Sequence, residues 1–275
     1  MAQLLLPTKL HENKPMKTDK NHTSFKPLLS FMIIAASILV SPVIFSTAQA
    51  TDVTIAVQSP TALKQKVTQA IEKFEQTKKN HWSFEVARYE NEEGDVTSSI
   101  ERYQPSETAA TPWQLLRINK EKPTKAQIEA FIANKVEQQK DKSAGNSYSV
   151  ALREIIQLDT LTFTKEDEAH IEMSFDVLLS QLGDVASSKL QGSLQYNKAL
   201  KFIETLTITN NAAFSPIFTA NIDDFKLSFT FTQINQQVLP YRQDMAMKGT
   251  FAFFTEIDEV SHDTFSNYQY LPNTD

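Results

Sequence analysis

The sequence predicts an α+β fold in which one antiparallel sheet offers an apolar face to a few amphipathic helices. Between Phe214 and Phe254, Phe225, Leu227, Phe229 and Phe231 alternate with Asp224, Lys226, Ser228 and Thr230. Met245, Met247, Phe251 and Phe253 resume the pattern after a break at Leu239-Pro240. A period of two over so many residues marks antiparallel strands with one apolar and one wet face. Two other stretches, 59–75 and 124–139, carry their apolar residues at helical spacing instead. The apolar sheet face must be covered, either by those helices or by a foreign apolar ligand.

The first fifty residues read as a leader. Phe31 to Phe45 is a mostly apolar run preceded by Lys17, Lys20 and Lys26 and followed by Ala48-Gln49-Ala50, the basic, apolar and small-x-small parts of a secretory signal. With Pro42 inside and no basic cluster behind it, the run is short for a membrane span, which needs about twenty residues. Cleavage is expected after Ala50, with Met1 or Met16 as the start, leaving residues 51–275 as a single domain in the periplasm. The chain has no cysteine, which excludes disulfides and an acylated lipobox cysteine. Without the leader, 22 basic and 31 acidic residues leave a formal charge of −9, which argues against nucleic acid and anionic lipid surfaces as partners.

The mature chain opens on a helix. Ser59 and Pro60 occupy cap and first-turn positions, and Leu63, Val67, Ala70, Ile71 and Phe74 form one face. Next comes a hairpin, 81–90 with 96–103, in which Trp82, Phe84 and Val86 alternate with Ser83, Glu85 and Ala87. Trp113 to Asn119 reads as a third strand. Thr124 with Gln127 makes a capping box for a second helix whose stripe is Ile128, Phe131, Ile132 and Val136. That helix and the Gly-containing stretch 140–149 are candidates for a mobile flap. Short helices are expected at 150–156 and 177–186. Strands are expected at 161–164, 170–175, 190–196 and 202–208, then the long run, then an aromatic tail with Phe265, Tyr268 and Tyr270.

Catalytic signatures are absent: no nucleophile elbow, Gly-rich phosphate loop or two-histidine zinc helix occurs. No cofactor or metal is therefore expected, and no enzyme. The remaining histidines are His81, His170 and His262. His170 shares a strand face with Glu172 and is the best general-base candidate, although a solvated surface position is the favoured explanation. Asp223-Asp224, and Asp258-Glu259 with His262 and Asp263, offer oxygen ligands at what read as solvated strand ends. Arg242, after Pro240, could meet a ligand carboxylate or phosphate at a pocket mouth, or form a strand-start ion pair.

In its order of elements, an amphipathic helix, a Trp-bearing hairpin, a second helix and long amphipathic strands, the mature chain resembles the LolA/LolB-like superfamily. The resemblance implies a strongly curved sheet, a half-barrel, wrapped around helices, with lipid acyl chains held between them. The segments Glu101-Arg102-Tyr103-Gln104-Pro105 and Trp113-Gln114-Leu115-Leu116, followed by Pro123-Thr124, are also similar to uncharacterised exported proteobacterial proteins. Those often have an Asn/Asp-Gly turn where this chain has Asn119-Lys120. On this reading the protein is a monomer that binds a lipid or acylated polypeptide without transforming it. Its wall would be Phe225, Phe229, Phe231, Met245, Met247, Phe251 and Phe253, with Phe131 on a lid helix and Arg242 at the mouth. A protein-interaction factor of the envelope with a self-filled core is the alternative, and a hydrolase built on His170 or the Asp223-Asp224 region is the third.

Overall fold

A computed structural model describes residues 59–105, 111–140, 151–179, 182–252 and 254–271. The leader with its cleavage site, most of the Gly-containing stretch after the second helix, and Phe253 lie outside them.

Alternation and turn chemistry together build one mostly β structure, an open antiparallel sheet of eleven strands. In chain order these are β1 (Trp82–Glu92), β2 (Asp95–Tyr103), β3 (Trp113–Ile118), β4 (Thr162–Glu166), β5 (His170–Asp176), β6 (Leu190–Asn197), β7 (Phe202–Asn210), β8 (Phe214–Ile217), β9 (Ala220–Ile234), β10 (Gln237–Phe251) and β11 (Thr255–Tyr270). Their spatial order is β3-β2-β1-β11-β10-β9-β7-β6-β5-β4, with β8 on the side of β9. The last strand therefore zips the N-terminal hairpin onto the long C-terminal one.

The helices are α1 (Pro60–Glu75), α2 (Lys125–Lys140), α3 (Leu152–Ile155) and α4 (Gly183–Ser187). Among the described residues no helix is long and apolar enough to cross a membrane. The Ser59 hydroxyl accepts the Ala62 N–H at 3.2 Å and so caps α1. Leu63, Val67, Ala70, Ile71 and Phe74 are all buried, which stabilises by roughly 1.5–3 kcal/mol for each large side chain. The partner of this face is the alternating wall: α1 packs on β7 and β10, and Phe74 meets Phe231 edge-on at 5.1 Å.

Two expectations about the long run need correction. Pro240 does not end a strand. The turn comes earlier, at Asn235 and Gln236, whose φ angles are 49° and 65°, and β10 continues through Pro240. The proline is tolerated because it sits at a bulge in the β9–β10 register, where no ladder N–H is required. Nor is Phe265–Tyr270 a tail. It closes a sixteen-residue strand whose beginning is hidden in sequence by acids at 256, 258 and 259. The helix expected at 177–186 shrinks to α4, because Val177 bridges back to Ile156.

Candidate functional site

One face of the sheet can be followed rung by rung, because directly paired residues in an antiparallel ladder share a side. From Phe229 it passes to Gln243, then Asp263, Arg88 and Ser99. The half of this face under α1 is dry. The half facing α2 is charged.

Arg88 is the hinge of the charged half. Its Nη1 lies 2.6 Å from Asp263 Oδ2 and its Nε lies 2.9 Å from Glu101 Oε1. Lys135 reaches in from α2 to the other Glu101 oxygen at 2.9 Å. Its ammonium also lies 4.8 Å from the Trp113 ring centre and 5.1 Å from that of Phe131, a cation–π arrangement. Glu101 is only 5% exposed. Burial pushes its carboxyl up, but Arg88 and Lys135 outweigh burial and hold it below the ordinary range. Lys135 is drawn down, first by burial and then by Arg88. Asp263 is pushed up by burial even beside Arg88.

A cleft of about 410 Å³ opens between α2 and the β1–β2–β3 wing, a volume within the range of small-molecule sites. Leu115, Ile118, Ala130 and Phe131 supply apolar lining, while Arg88, Glu90, Thr97, Ser99 and Gln127 supply polar lining. On the Phe84 side it borders an aromatic cluster that includes Trp82, Phe84, Trp113 and Phe265, and Phe131 packs against this cluster. In the other direction along β1 come Glu90 and Glu92. Glu92 pairs with Asp95 on one side and Glu259 on the other. Glu259 is 9% exposed, and its carboxyl is pushed up to about 7, by burial first and then by Glu92, Glu93 and Glu90.

The two helices are seated differently. Whereas α1 sinks five side chains, no residue from Lys125 to Gln138 is fully buried. The α2 N-terminus is well formed, with the Thr124 N–H donating to Gln127 Oε1 at 2.8 Å and the Gln127 N–H to Thr124 Oγ1 at 3.3 Å. Phe131 and Lys135 connect it to the sheet, the first by packing on the aromatic cluster and the second by the Glu101 ion pair.

Of the residues expected to form a ligand wall, Phe225, Phe229, Phe231 and Met247 are buried at 3–5% exposure, and Phe231 meets Phe74 of α1. Met245 and Phe251 are half-buried. None of these six lines the cleft, whereas Phe131 does. Arg242 forms the strand ion pair: its Nε donates to both Asp244 oxygens at 2.8 Å, and Asp244 also accepts from His262. His170 meets Glu204 at 2.8 Å rather than Glu172, and Asn197 donates to that same Glu204. Asp258, Glu259, His262 and Asp263 are mid-strand, and alternation sends them to opposite faces. Among the described residues no three His, Asp or Glu side chains converge as metal ligands.

The buried ions stand in the sequence pattern itself. Extending Trp82, Phe84 and Val86 by one period gives Arg88 as an inward residue. Extending Ile128, Phe131 and Ile132 by one helical repeat gives Lys135. A charge standing in register with an apolar stripe is the signal.

Fold and site together define an open-sheet protein whose one face is divided between a tightly packed helix and a loosely seated one over a cleft. No family's sequence profile matches the chain, and no curated protein matches it. Among solved structures it is similar to a DUF1329 family protein from Desulfovibrio piger, at 8% identity and a TM-score of 0.31, over 76% of this chain and 92% of that one. It is also similar to an outer membrane lipoprotein-sorting protein domain from Vibrio parahaemolyticus, at 9% identity and a TM-score of 0.32, over 79% of this chain and 95% of that one.

Proposed function

We propose that the protein is a non-enzymatic binding protein of the cell envelope, exported to the periplasm, that holds an amphiphilic ligand such as a lipid or acylated polypeptide. The sheet acts as a half-barrel and α2 as its lid. The observation that carries this reading is the seating of α2, which covers a cleft of about 410 Å³ without fully burying any residue from Lys125 to Gln138. A helix with no fully buried side chain from Lys125 to Gln138 can be displaced by a ligand that offers its apolar stripe equivalent burial, at about 0.8 kcal/mol per methylene. Binding is then an exchange and is reversible. The proposed ligand site is the lining under Phe131 rather than the buried wall of Phe225, Phe229, Phe231 and Met247, whose Phe231 meets Phe74 of α1.

Native mass spectrometry of protein purified from the periplasm without detergent, followed by organic extraction, tests this. A bound acyl-bearing species supports the reading. A clean mass that stays clean after incubation with membrane lipid refutes it. The burial of Phe225, Phe229, Phe231 and Met247 at 3–5% exposure favours one second reading, an envelope protein-interaction factor with a self-filled core. Cross-linking that yields one stoichiometric partner and no lipid would favour that reading.

A further inference from the structure

At one end of the sheet two neighbouring turns each hold a phenylalanine out into solvent. Phe218, between β8 and β9, is 91% exposed, and Phe254, between β10 and β11, is 86% exposed. Ile217, beside the first, is half exposed. The two turns are joined. Ala220 pairs with Phe251, and the Ala252 N–H donates to the Thr219 carbonyl at 2.8 Å, so both rings stand on one hydrogen-bonded platform.

The chain around them is uncharged. No Asp, Glu, Lys or Arg lies between Glu204 and Asp223, or between Lys248 and Glu256. Charge returns behind the turns as Asp223, Asp224, Glu256 and Asp258, with Lys248 already paired to Asp258 at 3.0 Å. The acidic β1–β2 turn stands level with Asp258, its Glu93 N–H donating to the Asp258 carbonyl at 3.0 Å. An aromatic tip thus sits in front of an acidic collar.

We propose that these two turns are a docking tip for the surface of a zwitterionic phospholipid bilayer. Phe218 and Phe254 enter the boundary between headgroups and acyl chains, and the collar stays among the headgroups. The turn backbone suits that medium: the Ala252 N–H is satisfied by Thr219 and the Phe254 N–H by the Phe251 carbonyl at 3.3 Å, where an unsatisfied group would be costly. Protruding rings would ask a rigid partner for two pockets at matching spacing, whereas a fluid boundary needs none. Charge selects the headgroup. The collar carboxylates complement the outward ammonium groups of zwitterionic lipids and are repelled by an anionic surface. This surface is separate from the cleft, whose lining comes from β1, β2, β3 and α2.

Co-flotation of protein purified from the periplasm with phosphatidylcholine vesicles, and with phosphatidylglycerol vesicles, tests the proposal. The native chain should float with phosphatidylcholine and bind phosphatidylglycerol about tenfold more weakly. Replacing both rings, Phe218→Ser with Phe254→Ser, should weaken phosphatidylcholine binding about tenfold or more while leaving the melting temperature unchanged. In Phe254→Trp, lipids brominated in their acyl chains should quench the new indole, whereas Trp82 and Trp113, 1% and 8% exposed, stay unquenched in the native chain. No flotation of the native chain, equal flotation of the serine variant, or a preference for phosphatidylglycerol overturns the docking tip. Self-association in sedimentation velocity that the serine variant abolishes, without vesicle binding, overturns it in favour of a second copy of the chain. The ligand-binding reading is decided separately, by the mass extracted from the cleft.

Discussion

Lys135 on α2 and Glu101 on β2 form an ion pair of 2.9 Å in which the two side chains are 12% and 7% exposed. It is the polar tie between the loosely seated helix and the sheet. Removing the ammonium leaves Glu101 with Arg88 and the Ser99 hydroxyl, which donates to Glu101 Oε1 at 3.4 Å. Since breaking a buried pair costs up to several kcal/mol, and half of the compensation survives here, about 1–2 kcal/mol is expected.

Lys135→Met keeps the stem over Trp113 while deleting the charge, so its effect isolates the tie. Amides of α2 should exchange with deuterium about tenfold faster, while those of α1 are unchanged. Equal acceleration in both helices, or none in either, would mean that the pair does not hold the lid. Because Glu101 ionises below the ordinary range, the tie is complete above about pH 4.5 and is lost as pH falls through the depressed value.

Thr77, just past α1, acts on the opposite half. Its hydroxyl donates to the Val238 carbonyl and accepts the Val238 N–H, both at 3.1 Å. One buried side chain thus satisfies both backbone groups of a residue just after the β9–β10 turn. Thr77→Val conserves volume and strands both groups, at a cost of about 2–4 kcal/mol. A urea midpoint that does not move would show that water replaces the hydroxyl.

What the sequence conveyed well was whatever local periodicity decides. Helix α1, with its Ser59 cap, begins and ends within a residue of expectation, and Thr124 with Gln127 forms the capping box that its spacing implies. The turn at Asn119 and Lys120 forms with φ of 47° and 68° despite lacking glycine, because Asn119 also accepts the Ser98 N–H at 2.9 Å. What stayed hidden depends on partners distant in the chain. The apolar alternation of β9 is identical whether a helix or a ligand covers it. At Phe231 the cover is Phe74 of α1, a partner more than 150 positions away in the chain. The Arg88, Glu101, Lys135 and Asp263 group draws on four separate elements, and β11 conceals its strand character because its inward residues at 259, 261 and 263 are polar.

Two glycines make a paired prediction about close approach. A Cβ added at Gly192 would stand 2.2 Å from the Phe175 ring, and one at Gly249 would stand 2.1 Å from the Asn221 carbonyl oxygen. A ring can rotate away, whereas a backbone carbonyl pinned in the β9–β10 ladder cannot without undoing the bulge at Lys248 and Gly249. Both substitutions overpack, at about 1–3 kcal/mol, and Gly249→Ala should be the more damaging by urea midpoint. The reverse order would mean that the bulge is the softer of the two sites.

Glu259 sets a pH dependence of unusual sign for a carboxylate. Its folded value of about 7 stands above the ordinary 4.5, so between those values the folded state holds a proton that the unfolded chain has released. Stability therefore falls as pH rises through that window. Below about pH 4.5 the carboxyl is neutral in both states and nothing is lost. Above about pH 7 the carboxylate is ionised in both states and the penalty for its charge applies in full. Glu259→Gln removes the charge at every pH and keeps the shape. Its melting temperature should exceed that of the native chain at pH 8, with the gap narrowing steadily to nothing near pH 4.5. Thermal scans across that range decide the matter. A gap that is constant with pH would mean that glutamine simply packs better, and a native chain that is the more stable at pH 8 would mean that the ionised carboxylate has found a cation.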